Sequence, residues 1–528
     1  MKIFNTEQIR AWDAYTIKNE PVRSVDLMNR AAQAFAHWFT GLYGDTRRPV
    51  SVFAGTGNNG GDGLALARIL HRKAYDVRLV VCDFGGKRSA DFERQLQMLP
   101  PRDSLPVQFL HASAASPPPA SAVVVDALFG SGLTRPLEGP WAEMIAFLNR
   151  LPNEIVAIDL PSGLYADRHT EGPCVRAQRV FSFETPKLAF FMPENGASVG
   201  EWAFGAIGLH PEFAAQTDSP FTYLTADALR LRARHKFDHK GTYGHALLIA
   251  GSYGKMGAAV LAAKAALRAG AGLLTVHAPA CGGAILQTAV PEAMFSADRR
   301  AKLWSAAPDP GAYRSVGLGC GIGLAPETAA AMEALLDRAH SPLVLDADAL
   351  NLLAAHPTWW PKIPQNSLLT PHLKEFERLF GASRNDFERL ELLRGQAAAR
   401  GVHIILKGTH RNRRPRRPVP LQLHRQSRHG HCRRRGRPHR HPDRLTCPRV
   451  RARGCRLPRR VSARIGGRFG GEPVQPARHD SRQHRSLPGR RLERPGARMR
   501  ISRQKKAAPL SERPFQIAEK PVQTTGRR

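Results

Sequence analysis

Three stretches of this 528-residue chain combine glycine, carboxylate and hydroxyl residues at spacings that suit anion binding and proton transfer. The first is Gly55-Thr56-Gly57-Asn58-Asn59-Gly60-Gly61-Asp62-Gly63, five glycines in nine residues. Glycine lets the backbone approach a ligand closely and take positive φ. A glycine loop that opens a helix also aims N–H groups at a phosphate. The plainer alternative is a tight strand-to-helix turn. The second stretch is Val125-Asp126-Ala127-Leu128-Phe129-Gly130, and the third is Ile158-Asp159-Leu160-Pro161-Ser162-Gly163. Each sets an acid at the end of an apolar run. A carboxylate there can exchange a proton with a bound ligand, or it can simply cap the turn that follows.

The elements around these motifs must bring them together. Runs 49–53, 77–81, 122–126 and 155–159 are short and apolar and read as buried strands. Residues 64–70 repeat apolar side chains at helical spacing, and 6–12 reads as a short capped helix. A further helix starts at Ser24 and puts Met28, Ala31, Ala32, Phe35 and Phe39 on one face, a core pattern. Alternating strands and helices predict a parallel sheet covered on both faces. Ligands gather at the carboxyl ends of such strands, where all three motifs fall.

After a transition at 210–240, a second α/β unit follows. Strands are predicted at 245–252, 272–276, 342–348, 367–372 and 402–408, an Ala-rich helix at 257–269 and a glycine loop at 316–323. Asp346 and Asp348 end one strand. His372 follows Thr370-Pro371 at the end of another, where it is either a ligand contact or structural.

The net charge of +34 suggests a nucleic-acid binder until it is located. Residues 411–528 hold 36 of the 78 Lys and Arg but only 6 of the 44 Asp and Glu, so +30 of the +34 lies there. The other 410 residues carry +4, as an ordinary globular protein does. The tail has two aromatic residues, Phe469 and Phe515, and no hydrophobic periodicity, a composition that cannot bury a core. An evolved basic arm would also interleave aromatics for base stacking. The body cysteines Cys82, Cys174, Cys281 and Cys320 form no Cys-x-x-Cys pair, which predicts a reduced chain without zinc. No signal-peptide core and no span of about 20 apolar residues is present, so a cytoplasmic location is expected, without membrane partners.

The three N-terminal motifs resemble those of the NAD(P)H-hydrate epimerases. His239-Lys240-Gly241-Thr242-Tyr243-Gly244, Asp346-Ala347-Asp348-Ala349-Leu350-Asn351 and Thr370-Pro371-His372 resemble the ADP-dependent NAD(P)H-hydrate dehydratases. The resemblance implies an α/β chain: a Rossmann-like three-layer αβα domain over 1–215, then an incomplete ribokinase-like αβα domain over 225–410, then a disordered basic tail over 411–528. It implies two activities in a fused repair enzyme. One interconverts the R and S hydrates of NADH and NADPH; the other dehydrates the S hydrate at the expense of ADP. In the first domain it implies K+ at Asn59, Asp126 and Ser162. It places the hydrate against Asn58, Asn59, Gly60, Gly61 and Asp62, and against Gly130, Ser131, Gly132, Leu133, Thr134, Arg135 and Pro136. Asp159 holds the nicotinamide end and is the acid/base. In the second domain it implies hydrate contacts at Ala258, Gly321 and His372, and ADP with Mg2+ near Lys407 and Gly408. The partners are small molecules, NADHX, NADPHX and ADP, with no specific nucleic acid, and a homo-oligomer is expected. The alternatives are a ribokinase-like small-molecule kinase and a basic-tailed nucleic-acid-binding protein.

The glycine-rich loop and catalytic aspartate that should follow Lys407-Gly408 are missing. Permitted codons for Leu421 to Leu445 can be chosen that, read one base later, encode Phe-Asn-Ser-Thr-Gly-Asn-Pro-Gly-Met-Ala-Thr-Ala and then Gly-Ala-Gly-Asp. That is the missing loop with its aspartate. A single-base frameshift beside His410 accounts for the tail and predicts loss of the dehydratase activity in this chain.

Overall fold

The computed structural model describes residues 1–408 except 102, 103, 114, 231 and 232. The expected disordered tail lies outside these residues.

In chain order the first half forms α1 (Thr6–Asn19), α2 (Ser24–Leu42), β1 (Val50–Ala54), α3 (Asn58–Arg72), β2 (Val77–Cys82) and α4 (Ala90–Gln97). It continues through β3 (Val107–Leu110), β4 (Val123–Ala127), α5 (Pro140–Arg150), β5 (Glu154–Ile158), β6 (Ala177–Phe183), β7 (Val199–Gly205) and α6 (Pro211–Gln216). The strands make one parallel sheet in the order β3-β2-β1-β4-β5-β6-β7. Successive side chains point to opposite faces. Val50, Val52 and Ala54 join Phe35, Phe39, Leu64 and Leu70 on one side. Phe53 joins Met144, Ile145 and Leu148 on the other. The result is three layers, with helices on both faces. Helix α1 runs well past the predicted 6–12, because Trp12 and Thr16 are buried a turn apart on its inner side. An Asn5–Gln8 capping box starts it, each side chain bonding the other residue's backbone N–H (2.8 and 3.1 Å).

The second half forms β8 (His245–Ile249), α7 (Met256–Ala269), β9 (Leu273–Ala278), α8 (Gly283–Ala289), β10 (Met294–Ala297), β11 (Ser315–Leu318) and α9 (Pro326–Leu336). There follow β12 (Leu343–Leu345), α10 (Asp348–Ala355), β13 (Leu368–Leu369), α11 (Leu373–Phe380), α12 (Asp386–Arg400) and β14 (His403–Ile404). This sheet is also parallel, in the order β10-β9-β8-β11-β12-β13-β14. The predicted glycine loop at 316–323 is a strand for its first three residues and a loop thereafter. Helices α9 and α10 cover one face over Leu247, Val316 and Leu345, and α7 covers β8 and β9 on the other. Beyond that cover, Val344 of β12 and Ile405 stay 40% and 53% exposed. No helix of the described residues is long and apolar enough to cross a membrane.

Candidate functional site

The carboxyl ends of β1, β4 and β5 open into a cavity of about 480 Å³. Asn58, Asn59, Asp62, Gly130, Ser131, Gly132, Leu133, Thr134, Arg135 and Asp159 all line it. Gly60, Gly61 and Pro136 are not among its lining residues and pack closely on their neighbours. A Cβ on Gly60 would come within 1.9 Å of the Gly55 carbonyl oxygen, and one on Gly61 within 2.7 Å of Met28 Sδ. Pro136 packs on Gly172. None of the five loop glycines has positive φ. They are glycines because α3 starts almost in contact with β1 and β4: a Cβ on Gly63 would lie 2.6 Å from Ala127 Cβ. The close approach was anticipated, and the positive φ does not occur.

Asp159 follows β5 in the left-handed region (φ +62), a conformation tolerated best by Asp and Asn among non-glycine residues. That turn sends its side chain along the cavity wall. Oδ1 accepts from Ser182 Oγ (3.2 Å) and Phe183 N (3.2 Å), and lies 2.9 Å from Lys187 Nζ. Lys187 is almost fully buried and also donates to Ser182 Oγ (2.9 Å). Two other acids share the space. Burial, then the charges of Asp159, Asp13 and Asp91, push the Asp62 carboxyl well above the usual range. Burial and Asp159 push Asp13 up to about 7, against the pull of Lys187.

Asp126 is the last residue but one of β4 and is fully buried. Ser162 donates to it twice, from Oγ (2.6 Å to Oδ1) and from N (2.8 Å to Oδ2). Ser162 Oγ also bridges the Phe129 backbone, lying 2.8 Å from N and 3.1 Å from O. Burial raises the Asp126 carboxyl to about 6, against the lowering effect of Ser162 and the Leu128 N–H. The turn-holding role is thus present in the geometry. The donor set also suits a hard cation: a carboxylate, a hydroxyl and an amide, all offering oxygen. Asn59 supports that fit, because its side-chain amide nitrogen is buried without a partner among the described residues, leaving the amide free to turn.

In the second half the motifs also converge at strand ends. Ala258 lies beside Gly321, whose φ is +70; a Cβ on Gly321 would sit 3.2 Å from Ala258 Cβ. Lys407 forms an ion pair with Asp346 and its N–H donates to Pro371 O (2.8 Å). Gly408 is exposed beside it. His372 caps α11: its Nδ1 accepts from Glu375 N (3.2 Å), and its own N–H donates to Glu375 Oε2 (2.8 Å). The structural reading of this histidine is therefore realised in the fold. The His239–Gly244 motif lies at the opposite end of the sheet, beside a cavity of about 1100 Å³ lined by residues 241–245.

Arg10, Asp13, Glu184 and Lys187 line the first cavity but were not picked out from the sequence. The spacing of Ile9, Arg10 and Asp13 on one face of α1 was a usable signal. So was a lysine heading the apolar run Leu188–Phe191.

Comparison with known proteins matches two families in tandem. "YjeF-related protein N-terminus" matches residues 24–189, and "NAD(P)H-hydrate dehydratase" matches 246–412. The bifunctional NAD(P)H-hydrate repair enzyme Nnr of Coxiella burnetii is 30% identical over 77% of this chain and 83% of its own length. That of Moorella thermoacetica is 32% identical, covering 72% and 74%. That of Thermofilum pendens is 29% identical, covering 78% and 80%. Among solved structures, the ADP/ATP-dependent NAD(P)H-hydrate dehydratase of Bacillus subtilis is 33% identical over 34% of this chain and 62% of its own, with a TM-score of 0.29. By this likeness along both halves, the chain belongs to the family of bifunctional NAD(P)H-hydrate repair enzymes.

Proposed function

We propose that the first cavity epimerises the R and S hydrates of NADH and NADPH, and that the second domain is a dehydratase whose activity this chain has lost. The observation that carries the first part is Asp159, held against buried Lys187 in the cavity that Asn58–Asp62, the opening turn of α3, helps to line. Water added across a ring double bond of reduced nicotinamide leaves a hydroxyl on the carbon beside the ring nitrogen. The nitrogen lone pair can expel that hydroxyl if it is protonated, and water can return from the other face. Asp159 moves a proton at that carbon's oxygen. The glycine loop and residues 130–136 hold the rest of the molecule, Arg135 favouring its phosphates. Asn59, Asp126 and Ser162 are the residues to hold K+, which when bound would supply a fixed positive charge beside the ring.

For the second domain, Ala258, Gly321 and His372 would face the hydrate, while Lys407 and Gly408 would open the ADP–Mg2+ loop. The catalytic aspartate of that loop is absent from the sequence after Gly408. Two observations favour the frameshift. The dehydratase likeness ends at residue 412, beside the inferred break. Val344 and Ile405 lie exposed where further helices of the layer would cover them. The domains at 1–215 and 225–410, a homo-oligomeric state, a cytoplasmic location and small-molecule partners alone belong to the same reading.

The test is chromatographic. Purified S hydrate of NADH incubated with the chain should give R hydrate faster than in buffer. An unchanged rate refutes the epimerase. Transfer of phosphate from ATP to a sugar or hydroxymethyl pyrimidine would instead favour the kinase.

A further inference from the structure

Epimerisation by loss of water from one face of the ring and its return to the other is well served by two proton carriers, one on each face. The C–O bond breaks on one side and reforms on the other. Lys187 is already engaged by Asp159. A second acid in the cavity has no such partner. Helix α1 turns Ile9, Arg10 and Asp13 to the cavity, and the Asp13 carboxyl has no hydrogen bond or ion pair among the described residues. It is partly buried, so a charge there would be poorly solvated. Resting on the epimerase reading above, we propose that Asp13 is the second catalytic acid/base, acting on the opposite face of the ring from Asp159.

The charged groups around Asp13 are consistent with that role. Asp159, Glu184 and Asp62 are acids that disfavour its ionisation; Lys187 favours it, and Arg10 lies one turn earlier on the same helix. Burial and these neighbours bring the carboxyl up to about 7. Asp13 then keeps a proton to give near neutral pH while Asp159 is paired with Lys187, the division of labour that acid–base catalysis uses.

In the forward step, protonated Asp13 gives its proton to the hydrate hydroxyl. The C–O bond breaks, water leaves, and the ring nitrogen lone pair forms the C=N bond of an iminium. A water on the other face then gives its proton to the Asp159 carboxylate. Its oxygen bonds to the carbon, and the C=N electrons return to nitrogen. One proton has moved from Asp13 to Asp159, and the reverse reaction returns it. No oxidant or reductant is needed.

The test compares the wild-type chain with Asp13→Asn and Asp13→Glu on the pure S hydrate of NADH, from about pH 5 to about pH 9, with folding checked by circular dichroism. We expect Asp13→Asn to lower kcat about 100-fold, the scale of general acid–base catalysis, with KM within about threefold. The acid must be protonated, so the wild-type rate should fall as pH rises through about 7, the value for Asp13. That alkaline limb should vanish in Asp13→Asn. Asp13→Glu should keep about tenfold more activity than Asp13→Asn, with the limb shifted. A folded Asp13→Asn variant with kcat within about threefold of wild type, or with the limb intact, overturns this inference alone. If Asp13→Asn does not fold, an unmoved limb in Asp13→Glu overturns it. A wild-type chain that leaves the S hydrate unchanged overturns the epimerase reading and this inference with it.

Discussion

Lys187 Nζ lies 2.9 Å from Asp159 Oδ1, with the lysine side chain only 2% exposed. A buried pair of this kind is sensitive to removal of one partner, because the other is left as an uncompensated charge. Lys187→Met should therefore destabilise the chain by about 3–5 kcal/mol in urea unfolding and abolish epimerisation. A variant of wild-type stability would mean that water already compensates Asp159.

Asp13 carries a pH signature in stability as well as in rate. Its carboxyl is raised from 3.8 to about 7 in the fold. A raised acid contributes stability that is full below pH 3.8 and lost as pH rises through about 7. Asp13→Asn removes that loss, so the variant should be more stable than wild type at about pH 8 by roughly 2–4 kcal/mol, and the gain should shrink at about pH 5. Thermal melts at the two pH values measure it. Equal melting temperatures at the higher pH would contradict a poorly solvated carboxyl.

The glycine loop makes a paired prediction. Gly60→Ala would set a Cβ 1.9 Å from the Gly55 carbonyl oxygen, whereas nothing lies within 4 Å of a Cβ on Gly57, whose φ is −89. Gly60→Ala should cost about 1–3 kcal/mol or more and lose activity; Gly57→Ala should be nearly neutral in stability. Similar losses in both would show that flexibility, not close packing, selects these glycines.

Much of this was open to reading from the chain, and the division has physical causes. Strands β1, β2, β4 and β5 are buried on both faces apart from Arg78 and the half-buried Glu154, so they appear as nearly plain apolar runs. Strands β6 and β7 carry Gln178, Arg179, Glu201 and other polar side chains nearer the sheet edge, and they escaped notice. In the second sheet β13 and β14 fall inside the predicted runs 367–372 and 402–408, whereas β10, four residues with no fully buried side chain, escaped notice and β11 read as a loop because of Gly317 and the glycines that follow it. In and around the cavity Asp126, Asp159 and Asn58–Asp62 sit in motifs whose local sequence announces them. Asp13 and Lys187 do not, because only the packing of α1 and of the segment after β6 on the strand ends gives them a role.

Ser162 ties the turn after β5 to Asp126 and Phe129. Ser162→Ala would leave a buried carboxylate oxygen and the Phe129 N–H without this partner, at a cost of about 1–3 kcal/mol. If the same residues hold K+, KCl should raise the wild-type melting temperature more than choline chloride does. Ser162→Ala and Asn59→Leu should abolish the difference. An identical response to the two salts in wild type would remove the case for potassium.

Helix α12 links the halves. Glu194 N donates to Asp386 Oδ2 and Asp386 N to Glu194 Oε2, both at 2.6 Å, while Phe387 packs among Leu188 and Met192. Phe387→Ala should lower the urea midpoint of the first domain by the equivalent of about 1–3 kcal/mol. Limited proteolysis should then cut near α12. An unchanged cleavage pattern would show that the two halves stand independently.

The most direct test of a working epimerase joined to a silent dehydratase starts from the pure R hydrate of NADH, with ADP and Mg2+ present. Both hydrates and the near-ultraviolet absorbance of the reduced ring are followed together. The account predicts that R becomes an R and S mixture while no NADH absorbance returns. Recovery of NADH at a rate comparable to epimerisation would contradict the loss of the second activity, and R hydrate that stays unchanged would contradict the first.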